Sequence, residues 1–217
     1  MEHLELRQQL IHHALRLGAT GLSRGTSGNL SARCPQGMLI TPSGIPYAQL
    51  QAGDIVLVAP DGSTDHVLAP SSEWRFHRDI YRHRPEIAAV VHAHPPYCTT
   101  LAIRRMPIPA LHYMIALSGG PEIRCAPYAT FGSEELSHFA VEALTGRTAC
   151  LLANHGMIAV AADLDRAMWI AEEVENLAMQ YVLSLQIGGP TILPDEEIAR
   201  VVEKFARYGL RGRPPDD

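Results

Sequence analysis

Two histidines one residue apart close the apolar run Ile87-Ala-Ala-Val-Val-His-Ala-His94, and a third histidine ends a second such run, Ala149-Cys-Leu-Leu-Ala-Asn-His155. Side chains alternate faces along a strand, so His92 and His94 point to one side at its end, before Pro95-Pro96 stop it. Three neutral imidazoles brought together by rigid strands suit a zinc-like divalent cation. One coordination position would remain for a carboxylate, water or substrate, which is the pattern of a catalytic rather than a structural site. Glu73, upstream at Pro70-Ser-Ser-Glu73, has two readings. At the start of a helix after two serines it is an ordinary capping carboxylate; beside a cation it is a ligand or a general base. His77 stands four residues on, but the pair lacks the full HExxH pattern, so His77 is expected on the helix face.

Three short glycine and hydroxyl segments offer amide hydrogens and hydroxyls to an anion. They supply Thr26, Gly28 and Asn29, then Ser43 and Gly44, then Ser71 and Ser72. Turns favour the same residues for their own reasons, so each segment alone is weak. A nucleotide-triphosphate loop of the GxxxxGK type is absent.

The elements that must position these groups follow from periodicity. Leu4, Leu6, Leu10, Ile11, Ala14 and Leu17 recur at helical spacing and predict an opening helix to about Gly18, with His12 and His13 on its surface. Gly25 to Ser31 reads as a loop. Short strands are expected at 38–41 and 54–59, and Asp61-Gly62 suggests a hairpin returning through His66 to Leu68. Helices are expected from Ser71 to about Arg84, from Glu134 to Leu144 after a Ser133 cap, from Asp165 to about Ile187, and from Asp195 to about Tyr208. The run before His155 pairs with Met157–Val160 as a hairpin. A mixed or antiparallel sheet with helices on both faces is the expected architecture.

The 217 residues carry a formal net charge of -5, with 47% hydrophobic and 19% charged residues. That balance argues against a nucleic-acid binder. Arg75, Arg78, Arg82 and Arg84 are interrupted by Glu73, Asp79 and Glu86 and read as a solvated helix face. No apolar run approaches the roughly 20 residues of a membrane span, and no secretory leader is visible. Cys34, Cys98, Cys125 and Cys150 form no CxxC pair and are expected as reduced thiols in a cytoplasmic enzyme. One domain over residues 1–210 with a short tail at 211–217 is expected.

Taken together, several segments resemble the class II aldolase/adducin family, specifically its sugar-phosphate members. They are Gly25-Thr-Ser-Gly-Asn-Leu-Ser31, Ile40-Thr-Pro-Ser-Gly44, Pro70-Ser-Ser-Glu-Trp-Arg-Phe-His77 and Val90-Val-His-Ala-His94. Further ones are Ile108-Pro-Ala-Leu-His-Tyr-Met114, Cys125-Ala-Pro-Tyr-Ala-Thr-Phe-Gly132, Asn154-His-Gly156 and Glu203-Lys-Phe-Ala-Arg-Tyr-Gly209. The resemblance implies a three-layer α/β/α domain with a mixed, largely antiparallel sheet, assembled as a homotetramer with sites between subunits. It implies one Zn²⁺ per subunit on His92, His94, His155 and Glu73, and phosphate held around Asn29, Ser43, Gly44, Ser71 and Ser72. It further implies Glu73 as the proton shuttle at the carbanion, Tyr113 of an adjacent subunit at the aldehyde oxygen, Phe131 near the aldehyde, and Tyr208 closing the site. The implied reaction is reversible cleavage of L-fuculose 1-phosphate, or a similar ketose 1-phosphate, to dihydroxyacetone phosphate and a short aldehyde such as L-lactaldehyde. A 5-deoxyribulose 1-phosphate aldolase is the near alternative. An oxo-tetronate phosphate decarboxylase, a pentulose-phosphate epimerase or a dehydratase would share the metal site, although family epimerases typically lack the glutamate. A non-catalytic adducin-like module would be expected to have lost the ligands.

Overall fold

The computed structural model describes residues 1–207. The expected domain boundary at 210 and Tyr208 lie outside them.

Seven strands form one sheet: β1 (Asn29–Cys34), β2 (Gly37–Ile40), β3 (Val56–Val58), β4 (Ala89–Ala93), β5 (Cys125–Ala126), β6 (Ala149–Leu152) and β7 (Gly156–Ala161). They lie in the order β3-β2-β1-β4-β7-β6-β5. Every neighbouring pair is antiparallel except the parallel pair β5–β6. The middle strand, β4, is buried throughout, as a strand covered on both faces must be.

Alternation divides the sheet's side chains between two cores. Leu30, Ala32, Ala89, Val91, Met157 and Ala159 face one layer, where α1 (Leu4–Ala19), α3 (Pro96–Ile103), α5 (Leu164–Gln186) and α6 (Asp195–Arg207) pack. Val90, Cys150, Leu152, Ile158 and Val160 face the other, against α2 (Trp74–His83) and α4 (Glu134–Ala143). The result is the expected α/β/α arrangement. Local rules place the ends: the Ser133 hydroxyl accepts from Leu136 N to cap α4, and Gly146 follows that helix at φ 67°.

Several expectations are corrected. Asn29 to Ser31 belong to β1 rather than to a loop. The Asp61-Gly62 turn forms, with the Asp61 carboxylate accepting from Ser63, but residues 63–69 add no strand. That stretch, Ser-Thr-Asp-His-Val-Leu-Ala, offers no apolar alternation to bury, and Val67 is fully in solvent. Pro95-Pro96 do more than stop a strand. Pro96 starts α3, a position where its missing N–H costs nothing, and the Glu175 carboxylate from α5 accepts from Tyr97 N and Cys98 N at 2.9 and 2.8 Å. His13 is buried where α1 meets α5, with Nε2 3.3 Å from Asp165, while His12 is exposed. The arginines of α2 are more engaged than a solvated face: Arg75 and Arg78 stack on Trp74, and Arg84 donates to Leu144 O and Arg147 O. All four cysteines are free thiols.

Candidate metal centre and active-site cleft

The three histidines and the glutamate meet. His92 sits in β4 with its side chain toward the α2 layer, and His94 lies just past the strand. His155 stands in the turn that joins β6 to β7. The three ring centroids are each 4.8 Å from the other two. Glu73 caps the start of α2 with its backbone only; its side chain makes no capping bond. Instead its Oε2 lies 3.1 Å from His92 Nε2 and its Oε1 3.2 Å from His155 Nε2. One ligand atom from each of the four residues falls within 4.8 Å of all the others. The Glu73 side chain therefore faces the histidines rather than the amides of the first helical turn.

Two observations fit this cluster to a divalent cation. Glu73 Oε1 is buried and accepts no hydrogen bond, because His155 approaches it outside hydrogen-bonding geometry. An orphaned buried carboxylate oxygen is costly unless another positive partner balances it. Further, His92 Nδ1 lies 2.9 Å from the Met157 carbonyl, which must accept. A proton therefore sits on Nδ1, which leaves Nε2, facing the cluster, as the nitrogen that a cation would take. Burial, with His92 and His155 adding, pushes His94 down to about 3, and burial takes His155 down to about 4, so both are neutral near pH 7. Burial acts to raise the Glu73 pKa, but His92, His155 and the Asn29 amide outweigh it and hold the carboxyl well below its usual range. Burial acts to lower the His92 pKa, but the Glu73 carboxylate outweighs it and raises it. With the Nε2 proton of His92 displaced by a cation, three imidazoles and one carboxylate form a hard-to-borderline donor set suited to zinc and its neighbours.

The cluster opens onto a cleft of about 380 Å³ whose wall includes Thr26, Gly28, Asn29, Ser43, Gly44, Ser71, Ser72, Glu73, His94, Phe131 and His155. All three hydroxyl and glycine segments thus share one cavity. Two of them are stitched together by the backbone, Ser43 N donating to Ala69 O and Ser71 N to Thr41 O, both at 3.0 Å. Tyr47 fixes the third by donating to Gly28 O at 2.7 Å. Gly28 has φ +81°, and a Cβ there would meet Ser23 Oγ and the His92 carbonyl. Ser27, Pro42, Tyr128, Ala129 and Asn154 also line the cleft, and the sequence assigned them no role. Asn154 adopts φ 55°, a conformation asparagine tolerates, and accepts from Arg105 at 3.2 Å. Tyr113 opens a short 3-10 helix, is 51% exposed and does not line the cleft of its own chain.

His77 is not a helix-face residue. It is fully buried, and burial, then His92, takes its pKa down to about 3. The side chain of Asn29 is held at both ends, donating to Glu73 Oε2 at 3.0 Å and accepting from His77 Nε2.

Gly156 shows how tightly the centre is packed. A Cβ there would collide with the Ala93 carbonyl and lie 2.7 Å from Cδ2 of His94. Gly156→Ala should therefore displace the His94 ring and cost about 1–3 kcal/mol of stability. Thermal unfolding together with metal titration checks it; wild-type stability and metal affinity would contradict the packing.

Comparison with known proteins gives the chain's relatives. The class II aldolase and adducin N-terminal domain family matches residues 8–182. An L-fuculose phosphate aldolase of Escherichia coli O6:H1 is 51% identical over 212 residues, covering 97% of this chain and 99% of that protein. A 5-methylthioribulose-1-phosphate/5-deoxyribulose-1-phosphate aldolase of Rhodospirillum rubrum is also 51% identical over 212 residues, covering 98% and 96%. A solved L-fuculose 1-phosphate aldolase superposes with a TM-score of 0.91 at 45% identity, covering 93% of this chain and 96% of that one.

Proposed function

The chain belongs to the class II aldolase and adducin family, an aldolase of its metal-dependent class, and from that we propose that it is a zinc aldolase cleaving a ketose 1-phosphate to dihydroxyacetone phosphate and a short aldehyde. The observation that carries the proposal is the opening of the Glu73, His92, His94 and His155 cluster onto a cleft walled by hydroxyls and glycine amides. L-Fuculose 1-phosphate is the first substrate we assign. The equal identity of the Rhodospirillum rubrum relative makes 5-deoxyribulose 1-phosphate the second.

Cleavage breaks the C3–C4 bond and leaves an electron pair on C3, next to the C2 carbonyl. His92, His94, His155 and Glu73 would hold a divalent cation, which would supply Lewis-acid stabilisation of that charge. Thr26, Gly28, Asn29, Ser43, Gly44, Ser71 and Ser72 surround the phosphate through hydroxyls and amides, fixing C1 to C3 beside Glu73. Glu73 delivers a proton to C3, which becomes the hydroxymethyl carbon of dihydroxyacetone phosphate, and removes it again in the reverse direction. At the other end the C4 hydroxyl loses a proton as it becomes the aldehyde, and in the reverse direction the Tyr113 phenol of a neighbouring copy of the chain is the proton donor to the aldehyde oxygen. Phe131, 65% exposed in the single chain, forms the apolar wall for the aldehyde. Uncovered aromatic side chains at Tyr113 and Phe131 support sites shared between subunits of a homotetramer. No described helix is long and apolar enough to cross a membrane.

Release of dihydroxyacetone phosphate from L-fuculose 1-phosphate, D-ribulose 1-phosphate and 5-deoxyribulose 1-phosphate, each with and without EDTA, tests this. Chelator-sensitive release, fastest from the fuculose ester, is expected. Preference for the deoxypentulose keeps the chemistry and changes the substrate; no release from any of them defeats the proposal.

A further inference from the structure

Strand β1 and helix α2 face each other with matched polar stripes. Asn29, Ser31 and Arg33 alternate onto the α2 side of β1, while Leu30 and Ala32 enter the other core. Glu73, His77 and Tyr81 recur every four residues along α2. Two strand residues advance about 6.7 Å and four helical residues about 6 Å, so the stripes stay in step over three positions. Asn29 meets Glu73 and His77; Ser31 meets His77 Nδ1 at 2.7 Å and Tyr81 OH at 2.8 Å; Arg33 donates to Tyr81 O and stacks on its ring. Glu73, His77, Asn29, Ser31 and Tyr81 are all buried.

The direction of every bond in this chain follows from its end. An ionised carboxylate only accepts, so Asn29 must turn its Nδ2 to Glu73 and its Oδ1 to His77. His77 Nε2 must then carry the hydrogen, which leaves Nδ1 as an acceptor. The Ser31 hydroxyl supplies that hydrogen, and Tyr81 O–H donates to Ser31 Oγ. Without His77 the Asn29 Oδ1 loses its buried donor, and the carboxamide is held only at its Nδ2 end, by Glu73.

We propose that Tyr81, Ser31, His77 and Asn29 form a directed hydrogen-bond relay that orients Glu73, with His77 the positioning residue that anchors the far end of the Asn29 carboxamide and so holds its Nδ2 on the carboxylate. The relay gives the buried face of α2 a task beyond packing, and it rests on the assignment of Glu73 as ligand and proton shuttle. Partners of ligating groups typically change metal affinity by about 10–100-fold when removed.

His77→Phe keeps a buried ring and deletes both nitrogens; His77→Gln retains a donor and an acceptor. Zinc affinity of both variants is measured by competition with a chromogenic chelator, alongside thermal unfolding, kcat and KM. His77→Phe should lose zinc affinity by about 10–100-fold and lower kcat with little change in KM, while His77→Gln recovers most of both. Wild-type affinity and kcat in a folded His77→Phe protein, or a Gln variant as impaired as the Phe variant, overturns the relay. Should His77→Phe not fold, Ser31→Ala removes the next link and is expected to weaken zinc binding in the same direction, though less; unchanged affinity there overturns it as well. Zinc affinity is read without substrate, so failure of the wild type to release dihydroxyacetone phosphate counts against the proposed function and leaves the relay standing on its own result.

Discussion

Glu73→Gln should slow turnover by about 10²-fold or more, the scale of a lost general acid–base group, while the protein stays folded. The substitution is close to isosteric, and a glutamine oxygen can still accept from Asn29 Nδ2, now 3.0 Å from the carboxylate. What disappears is the ability to carry a proton to and from C3, together with one negative charge in a cluster of imidazoles. Three histidines remain, so zinc binding should weaken without vanishing, and rates must be compared at saturating metal. A near-normal kcat in the zinc-loaded variant would reduce Glu73 to a structural ligand.

Removing the metal should have a still larger effect: activity falls to the uncatalysed background and returns on adding one equivalent of zinc per chain. The four residues bring their ligand atoms within 4.8 Å of one another, and a cation bound there would supply the Lewis acid that the proposed cleavage requires. The metal-free protein should also unfold at lower temperature, since a cation that binds only the folded cluster stabilises it by mass action and balances Glu73 Oε1. Full activity after exhaustive chelation contradicts the account, and a calorimetric scan with and without zinc checks the stability arm.

Much of this centre was legible in the chain. The two-residue spacing of His92 and His94 is a strand signature, and His155 follows an equally apolar run, so convergence was the natural expectation. Glu73 was ambiguous for a physical reason: a carboxylate at a helix start serves the helix dipole as readily as a cation, and only the fold shows that its side chain turns away from the backbone amides. The likeness to a known family, rather than composition, suggested that three weak loops act as one, and the cleft does join them.

What stayed hidden shares a cause. Asn-x-Ser-x-Arg in β1 and Glu-x3-His-x3-Tyr in α2 are polar stripes, and hydrophobic periodicity reads polar positions as solvent-facing. Here the two stripes satisfy each other in the interior, so periodicity misplaces His77 on the helix face and reads the first residues of β1, Asn29 to Ser31, as a loop. His13 was misplaced for a similar reason, its partner Asp165 lying 152 positions away on another helix. The missing 63–69 strand errs in the opposite direction: its turn chemistry was sound, but a turn alone cannot pair a segment that has no apolar face to bury.

The central claim is that this cluster moves a proton at the carbon beside a metal-polarised carbonyl. It is tested most directly by incubating the zinc enzyme with dihydroxyacetone phosphate in D₂O, with no aldehyde present, and following the hydroxymethyl protons by NMR. The account predicts exchange of one of the two protons, abolished by chelation and strongly slowed in Glu73→Gln. No exchange by the zinc-loaded enzyme, or exchange that survives metal removal, would contradict it.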